Sequence, residues 1–139
     1  MEIIEFKEFE ELLKSNYRSN IFESANNKVK ELYDGEFKFY AKNLLNSNET
    51  VIYYFFKDFI VEVSFTFEND SHNYPFSIKE YKSKVISKEL KNYHSYDGFV
   101  EINVHLDDGL QITLHNMNDS NSTWHEEYYG VIVDIFKFL

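Results

Sequence analysis

The sequence predicts an α+β fold: helices, then a run of antiparallel strands, then a closing helix. Three observations predict it. The hydrophobic period is helical up to residue 35, two from residue 36, and helical again after residue 123. Alternating segments flank Lys57-Asp58 and Asp107-Asp108-Gly109, so neighbouring strands fold back as hairpins. The length, 139 residues, suits one core. We read 1–139 as a single domain, with a helical segment at 1–35, strands over 36–116 and a helix at 123–139.

The first element is a helix over residues 5–16, where Phe6, Phe9 and Leu12 or Leu13 fall at helical spacing. Asn20-Ile21-Phe22-Glu23 matches a capping box for a second helix. Ile21, Ala25, Val29 and Leu32 line one face of it, and Asp34-Gly35 supplies the stop. Neither helix is long, so each needs a surface to pack on.

Strands follow. Phe37, Phe39 and Ala41 alternate with Lys38, Tyr40 and Lys42, and Asn46-Ser47-Asn48 marks a turn. Residues 50–56 and 59–67 pair about Lys57-Asp58, setting Phe56 opposite Phe59, Tyr54 opposite Val61 and Ile52 opposite Val63. The opposite face then carries Tyr53, Phe55 and Ile60. Three large apolar groups there need a cover, which is either the N-terminal helices or a partner. We expect the helices, whose stripes also lack a surface. Residues 68–75 read as a loop, 76–81 and 83–91 as weaker strands, and 94–98 as a turn. Lys79, Lys82, Lys84, Lys88 and Lys91 cluster in the weaker pair. Lysines so placed guard a sheet edge against pairing, or they contact an anion.

Val100, Ile102, Val104 and Leu106 alternate with Glu101, Asn103, His105 and Asp107, and Leu110, Ile112 and Leu114 with Gln111, Thr113 and His115. A two-residue loop would put Leu106 opposite Gln111. A three-residue loop puts Leu106 opposite Leu110 and Val104 opposite Ile112, so the faces agree. Such a turn needs a left-handed residue, and Gly109 supplies it. Residues 117–122 read as a polar loop. Thr123-Trp124-His125-Glu126 matches a capping box, which contributes about 1 kcal/mol. Trp124, Tyr128, Val131, Ile135 and Phe138, with Ile132 and Leu139 beside them, form a helical stripe. Val131, Ile132, Val133 and Ile135 are weak helix formers, so packing must hold this helix; the alternative for 131–139 is a terminal strand.

Seven strands and then one helix resemble the pleckstrin-homology-like (PH-like) superfold, on the pattern of Val100–Leu106, Asp107-Asp108-Gly109, Leu110–Leu114 and the helix opening at Trp124. The order is also similar to short Gram-positive bacterial proteins of uncharacterised function that set such a module after N-terminal helices. The resemblance covers residues 36–139. It implies a seven-stranded antiparallel split barrel plugged by the C-terminal helix. The alternative architecture is a generic antiparallel sheet packed by helices. Lipid-binding members hold head groups at the first strand pair, where only Lys38, Lys42 and Lys57 stand here.

Composition limits the function. A formal charge of −10 repels phosphate backbones and anionic membranes and suits a basic protein partner. Solubility alone is the other reading of that charge. With no cysteine there is no disulfide, thiolate metal site or Cys nucleophile. The N-terminal stretch has no basic region before an apolar run, and no stretch approaches the roughly 20 apolar residues of a membrane span, so a cytoplasmic location is expected. The wealth of Lys, Asn, Ile, Phe and Tyr fits an AT-rich bacterial genome.

Catalytic and metal signals are weak. His72, His94, His105, His115 and His125 lack zinc spacing. The hairpin register pairs His115 with Glu101 and His105 with Gln111 on a wet face. No Gly-x-Ser-x-Gly or phosphate loop occurs. Asp107-Asp108 and Glu126-Glu127 are neighbours that point apart. Asp107-Asp108-Gly109 with Asp119 offers at most a weak cation site, and turn chemistry explains the triplet as well. No cofactor is expected.

We expect a non-catalytic interaction domain, of the kind that serves as an acidic immunity-type or regulatory binding protein. Its candidate interface is Tyr53, Phe55, Ile60, Tyr93 and Tyr96, with a homodimer also open. Two alternatives stand beside it: a small-ligand or enzymatic pocket between barrel and helix near Trp124, and weak contact of the lysine cluster with anionic lipid.

Overall fold

Each period-two segment forms a strand in the computed structural model, which describes residues 19–42, 49–66, 76–82, 84–92, 98–120 and 124–139. In chain order the elements are α1 (Ser19–Leu32), β1 (Phe37–Lys42), β2 (Glu49–Phe56), β3 (Ile60–Thr66), β4 (Phe76–Tyr81), β5 (Val85–Asn92), β6 (Val100–Leu106), β7 (Gln111–His115), a single turn α2 (Asn116–Asp119) and α3 (His125–Phe138). The fold is α+β with two antiparallel sheets, one ordered β1-β2-β3-β4 and the other β5-β6-β7. The helix expected over residues 5–16, the loop at 68–75, residues 94–97 of the expected turn at 94–98 and the cap residue Thr123 lie outside the described residues. No helix among the described residues is long and apolar enough to cross a membrane.

Side-chain alternation fixes both hairpins. Tyr54 pairs with Val61 and Ile52 with Val63, and the Phe56 N–H bonds the Phe59 carbonyl at 3.0 Å across Lys57-Asp58. In the second hairpin Val104 pairs with Ile112 and Ile102 with Leu114, while the Leu106 N–H bonds the Leu110 carbonyl at 2.9 Å. The loop is therefore three residues, and Gly109 sits at φ +89°. A one-residue slip would turn every apolar side chain of β7 to solvent.

The first sheet is buried on both faces. One face carries Phe39, Ile52, Tyr54, Phe56, Val61, Val63 and Phe65. Helix α1 covers it. Phe22 meets Phe65 edge-on at 5.0 Å, Tyr54 donates to Asn26 Oδ1 at 2.8 Å, and Tyr33 lies against Phe56 and Phe59. The other face carries Tyr40, Tyr53, Phe55 and Ile60, and α3 meets it. Tyr40 packs edge-on against Tyr128 at 5.4 Å, the Tyr128 hydroxyl donates to the Ala41 carbonyl, and Lys38 pairs with Asp134 at 3.0 Å.

Of the two N-terminal helices expected over Tyr53, Phe55 and Ile60, α1 instead covers the opposite face, and the helix expected at 5–16 lies outside the described residues. The α1 stripe of Phe22, Ala25 and Val29 is apolar and takes the more apolar face, where Asn26 meets the Tyr54 hydroxyl. The mixed face, with Lys38, Tyr40 and Lys42 on β1, takes the elements that offer polar partners: α2, α3 and β7.

Strands β4 and β5 are the thin parts of the sheets. Only Val85 and Leu90 of β5 are half-buried, and a bulge between Val85 and Ser87 throws Ile86 out at 66% exposure. Bulges and lysines together discourage another strand from adding to an edge. After β7 the expected polar loop is instead the turn α2, started by the His115 side chain. Helix α3 then begins at His125, with Trp124 in the cap position and no side-chain cap bond. Tyr128, Val131, Ile132 and Ile135 are its buried stripe, and residues 131–138 are helical rather than strand. Each such side chain stabilises the fold by roughly 1.5–3 kcal/mol relative to exposure.

Candidate functional site

Cross-strand register places Tyr40, Tyr53, Glu62 and Lys79 opposite one another on β1 to β4. Side chains directly opposite in an antiparallel pair share a face. The row therefore runs across the inner face of the first sheet as two phenols, a carboxylate and an ammonium.

Its closed end is Tyr40. The Tyr40 hydroxyl donates to Asp119 Oδ2 at 2.7 Å, and the His115 backbone N–H donates to the same oxygen at 2.8 Å. Lys42 Nζ stands 3.7 Å from Asp119 Oδ1 and donates to the Thr113 carbonyl at 2.7 Å. Asp119 is 2% exposed, so this charge is compensated entirely from within the protein. The turn α2 exists to present it. His115 Nδ1 accepts from the Met117 and Asn118 N–H groups, each at 3.2 Å, and Ser120 Oγ donates to the Asn116 carbonyl.

The open end is Glu62. Tyr81 donates to Glu62 Oε2 at 2.9 Å, Tyr53 is its direct cross-strand neighbour, and Lys79 Nζ lies 4.7 Å over the Tyr81 ring. Burial and then the Glu62 hydrogen bond push the Tyr81 hydroxyl up to about 12. Burial first, then the nearby carboxylates, raise Tyr53, Tyr40 and Tyr128 above the ordinary phenol range. All four phenols therefore stay neutral at physiological pH. They act as hydrogen-bond donors, and the charged groups at the open end are Glu62 and Lys79.

A cleft of about 360 Å³ lies at the C-terminal end of α3, lined by Phe56, Lys57, Asp58, Phe59, Ile60, Lys84, Val85 and Leu139. Phe56 and Phe59 stack at 4.5 Å and form its aromatic wall. The pocket anticipated near Trp124 would lie at the other end of this helix. Around the cleft, Lys57 donates to the Phe138 carbonyl at 3.2 Å and Lys88 to the Phe136 carbonyl at 2.7 Å. Each ammonium also sits over the ring of the same residue. Cations belong at a helix C-terminus, where unpaired carbonyls gather.

The anticipated site residues that are described do not meet at one place. Tyr53, Phe55 and Ile60 are 9%, 0% and 2% exposed, inside the chain's own core. Tyr93 and Tyr96 lie outside the described residues. The lysines of 79–91 have separate attachments: Lys79 on the Tyr81 ring, Lys82 near Glu80, Lys88 on α3 and Lys91 between Glu89 and Glu101, while Lys84 borders the cleft. His115 does pair with Glu101, but its ring is buried and serves as a cap. Asp119 is bound to Tyr40, whereas Asp108 accepts from the Leu110 N–H within the hairpin turn. Among the described residues no group of His, Asp or Glu is placed to hold a metal ion.

Sequence reasoning missed Tyr40 and Glu62, and weighed Asp119 only as part of a weak cation site with Asp107-Asp108-Gly109. A signal existed for the first two. Tyr40 is an aromatic at a position alternating with lysines, and the register that paired Tyr54 with Val61 also set Tyr53 opposite Glu62. The outer face of β6 and β7 is polar. Asn103 accepts there from Gln111 at 2.8 Å and Thr113 at 2.7 Å and donates to Glu101 at 3.1 Å.

Comparison with protein families, with characterised proteins and with solved structures finds no match to this chain. The α+β class and the two-sheet topology thus rest on the elements themselves.

Proposed function

We propose that this protein is a non-catalytic, cytoplasmic interaction module that recognises a basic polypeptide, as an acidic immunity-type or regulatory binding protein does. One observation carries the reading. Lys28, Lys38, Lys42, Lys57, Lys88 and Lys91 are attached to carboxylates or carbonyls of the chain itself. Glu23, Asp34, Glu36, Asp58, Asp107 and Glu126 stand exposed, with no cation at ion-pair distance among the described residues. These six carboxylates leave negative charge at the described surface, in keeping with the formal charge of −10 of the whole chain. Such a surface speeds encounter with a basic partner and rejects acidic ones.

The finer architecture belongs to the same proposal: a PH-like split barrel whose open end is plugged by α3. Its support is the division of seven strands into four and then three in chain order, and the bonds that tie β1 to β7 and to α3.

The test is cross-linking in the native host with mass spectrometry, then titration of the purified pair at rising salt. The expected partner has an isoelectric point above about 9, and its affinity falls steeply with salt. An acidic partner, or binding indifferent to salt, refutes the reading.

A second reading, a small-ligand pocket against the closing helix, is favoured by the cleft at Phe56, Phe59 and Lys84, whose volume of about 360 Å³ lies within the range of ligand pockets. A thermal-shift screen of small aromatic and aliphatic acids tests it, and no shift with any of them removes it.

A further inference from the structure

The open end of the phenol–carboxylate row has the composition of a cation receptor. Tyr81 is half-buried on β4, and its hydroxyl holds Glu62 at 2.9 Å. Glu62 is half-buried too, so its charge is less screened than an exposed one. The Tyr81 phenol is a neutral donor that holds the carboxylate in place without cancelling its charge, with Tyr53 as the cross-strand neighbour.

A cation already lies at this place. Lys79 Nζ sits 4.7 Å over the Tyr81 ring, yet among the described residues no carboxylate stands within ion-pair distance of it. Lys79 and Tyr81 are two residues apart on one strand, so they share a face. The lysine is exposed and rests on the ring alone, in contrast to Lys88 and Lys57, which also bond helix carbonyls. An aromatic face with a fixed carboxylate at its edge is best filled by a guanidinium. That group stacks flat on the ring and donates to the carboxylate at once, which a tethered ammonium does not do here.

We propose that Tyr81 and Glu62 form a receptor for one arginine side chain of the partner, covered in the free protein by Lys79. This rests on the reading of the chain as a module for a basic polypeptide, and it names the side chain recognised. Lys79 acts as a placeholder: incoming arginine displaces it, and the acidic surface holds the rest of the partner.

The experiment titrates an oligo-arginine peptide and an oligo-lysine peptide of equal length into the full chain. Affinity is read by fluorescence anisotropy, and the Tyr81 and Tyr53 ring resonances by NMR. The arginine peptide is expected to bind about three- to tenfold more tightly than the lysine peptide and to shift the Tyr81 ring signals. Glu62→Gln is expected to weaken it by about tenfold. Lys79→Ala is expected to tighten it, and by more than Lys82→Ala, which removes the same charge from a lysine that lies near Glu80. Thermal unfolding checks that Glu62→Gln folds; if it does not, the Lys79→Ala against Lys82→Ala comparison decides. Equal effects of those two lysine substitutions, with the peptide still bound to the wild type, overturn the receptor and leave the acidic-module reading standing. Failure of both peptides to bind the wild type at low salt overturns that reading and the receptor with it.

Discussion

The Tyr40 hydroxyl donates to Asp119 Oδ2 at 2.7 Å, deep inside the protein, from a strand and a turn 79 positions apart in the chain. This bond decides how the closing helix is reached. Asp119 ends α2, the turn between β7 and the segment leading to α3, so the bond ties that turn to β1. Tyr40→Phe leaves a buried carboxylate with one donor fewer and is expected to cost about 1–3 kcal/mol. Asp119→Ala strands the Tyr40 hydroxyl and Lys42 and is expected to cost about 3–5 kcal/mol. A double-mutant cycle in urea measures their coupling. Additive losses would show that the pair does not act as a unit.

Alkaline pH should loosen the same interior. Tyr81 has its folded-state pKa raised from 10.0 to about 12, chiefly by burial and then by Glu62. A group raised in the folded state holds more protons there than in the unfolded chain, so stability falls as pH rises through that window. Full stability is present below 10.0, the ordinary phenol value, and is lost toward about 12 as Tyr81 ionises. Tyr40, Tyr53 and Tyr128 act in the same direction. The fall in melting temperature above pH 10 should be shallower in Tyr81→Phe. Identical slopes would remove Tyr81 from the account.

His115 offers a separable test of the turn. Its Nδ1 accepts from two backbone N–H groups at the start of α2, both at 3.2 Å. Asn is a good cap residue and Ala is not. His115→Ala is expected to cost about 1 kcal/mol from the lost cap. His115→Asn should recover most of that, with the Met117 and Asn118 amide shifts returning toward wild type. If Asn destabilises as much as Ala, the ring is valued for its bulk under the sheet and not as a cap.

The strands were legible because alternation is a local signal and pairing follows from matching faces. Leu106 opposite Leu110, with Gly109 left-handed between them, needed no knowledge of the rest of the chain. The two-sided burial of Ile52 to Phe56 was legible too, but which helix covers which face was not. That choice depends on Tyr40, whose neighbours Lys38 and Lys42 look solvent-facing until Asp134 and Asp119 arrive from far along the sequence. Asp119 itself sits in Asn118-Asp119-Ser120, which has the composition of a loop, and only the His115 cap makes that stretch a turn of helix. Long-range polar pairs carry no periodicity, so the candidate site was the part that reading by period missed.

The end of α3 depends on lysines that come from two different sheets. Lys57 on the β2–β3 turn reaches the Phe138 carbonyl at 3.2 Å, and Lys88 on β5 reaches the Phe136 carbonyl at 2.7 Å. Both ammoniums are near solvent, so each contact is worth at most about 1 kcal/mol and is weakened by salt. Val131, Ile132 and Ile135 lower the intrinsic helix preference of this segment, so its last turn relies on such contacts more than an alanine-rich helix would. Lys57→Met and Lys88→Met, which keep the apolar stems over Phe138 and Phe136, should each leave global unfolding nearly unchanged. Together they should speed hydrogen exchange at residues 136–139 several-fold while the amides of Tyr128 to Ile132 stay protected. High salt should reproduce the effect in the wild type and add little in the double variant. Unchanged exchange at the helix end in the double variant would show that apolar packing alone seats the last turn.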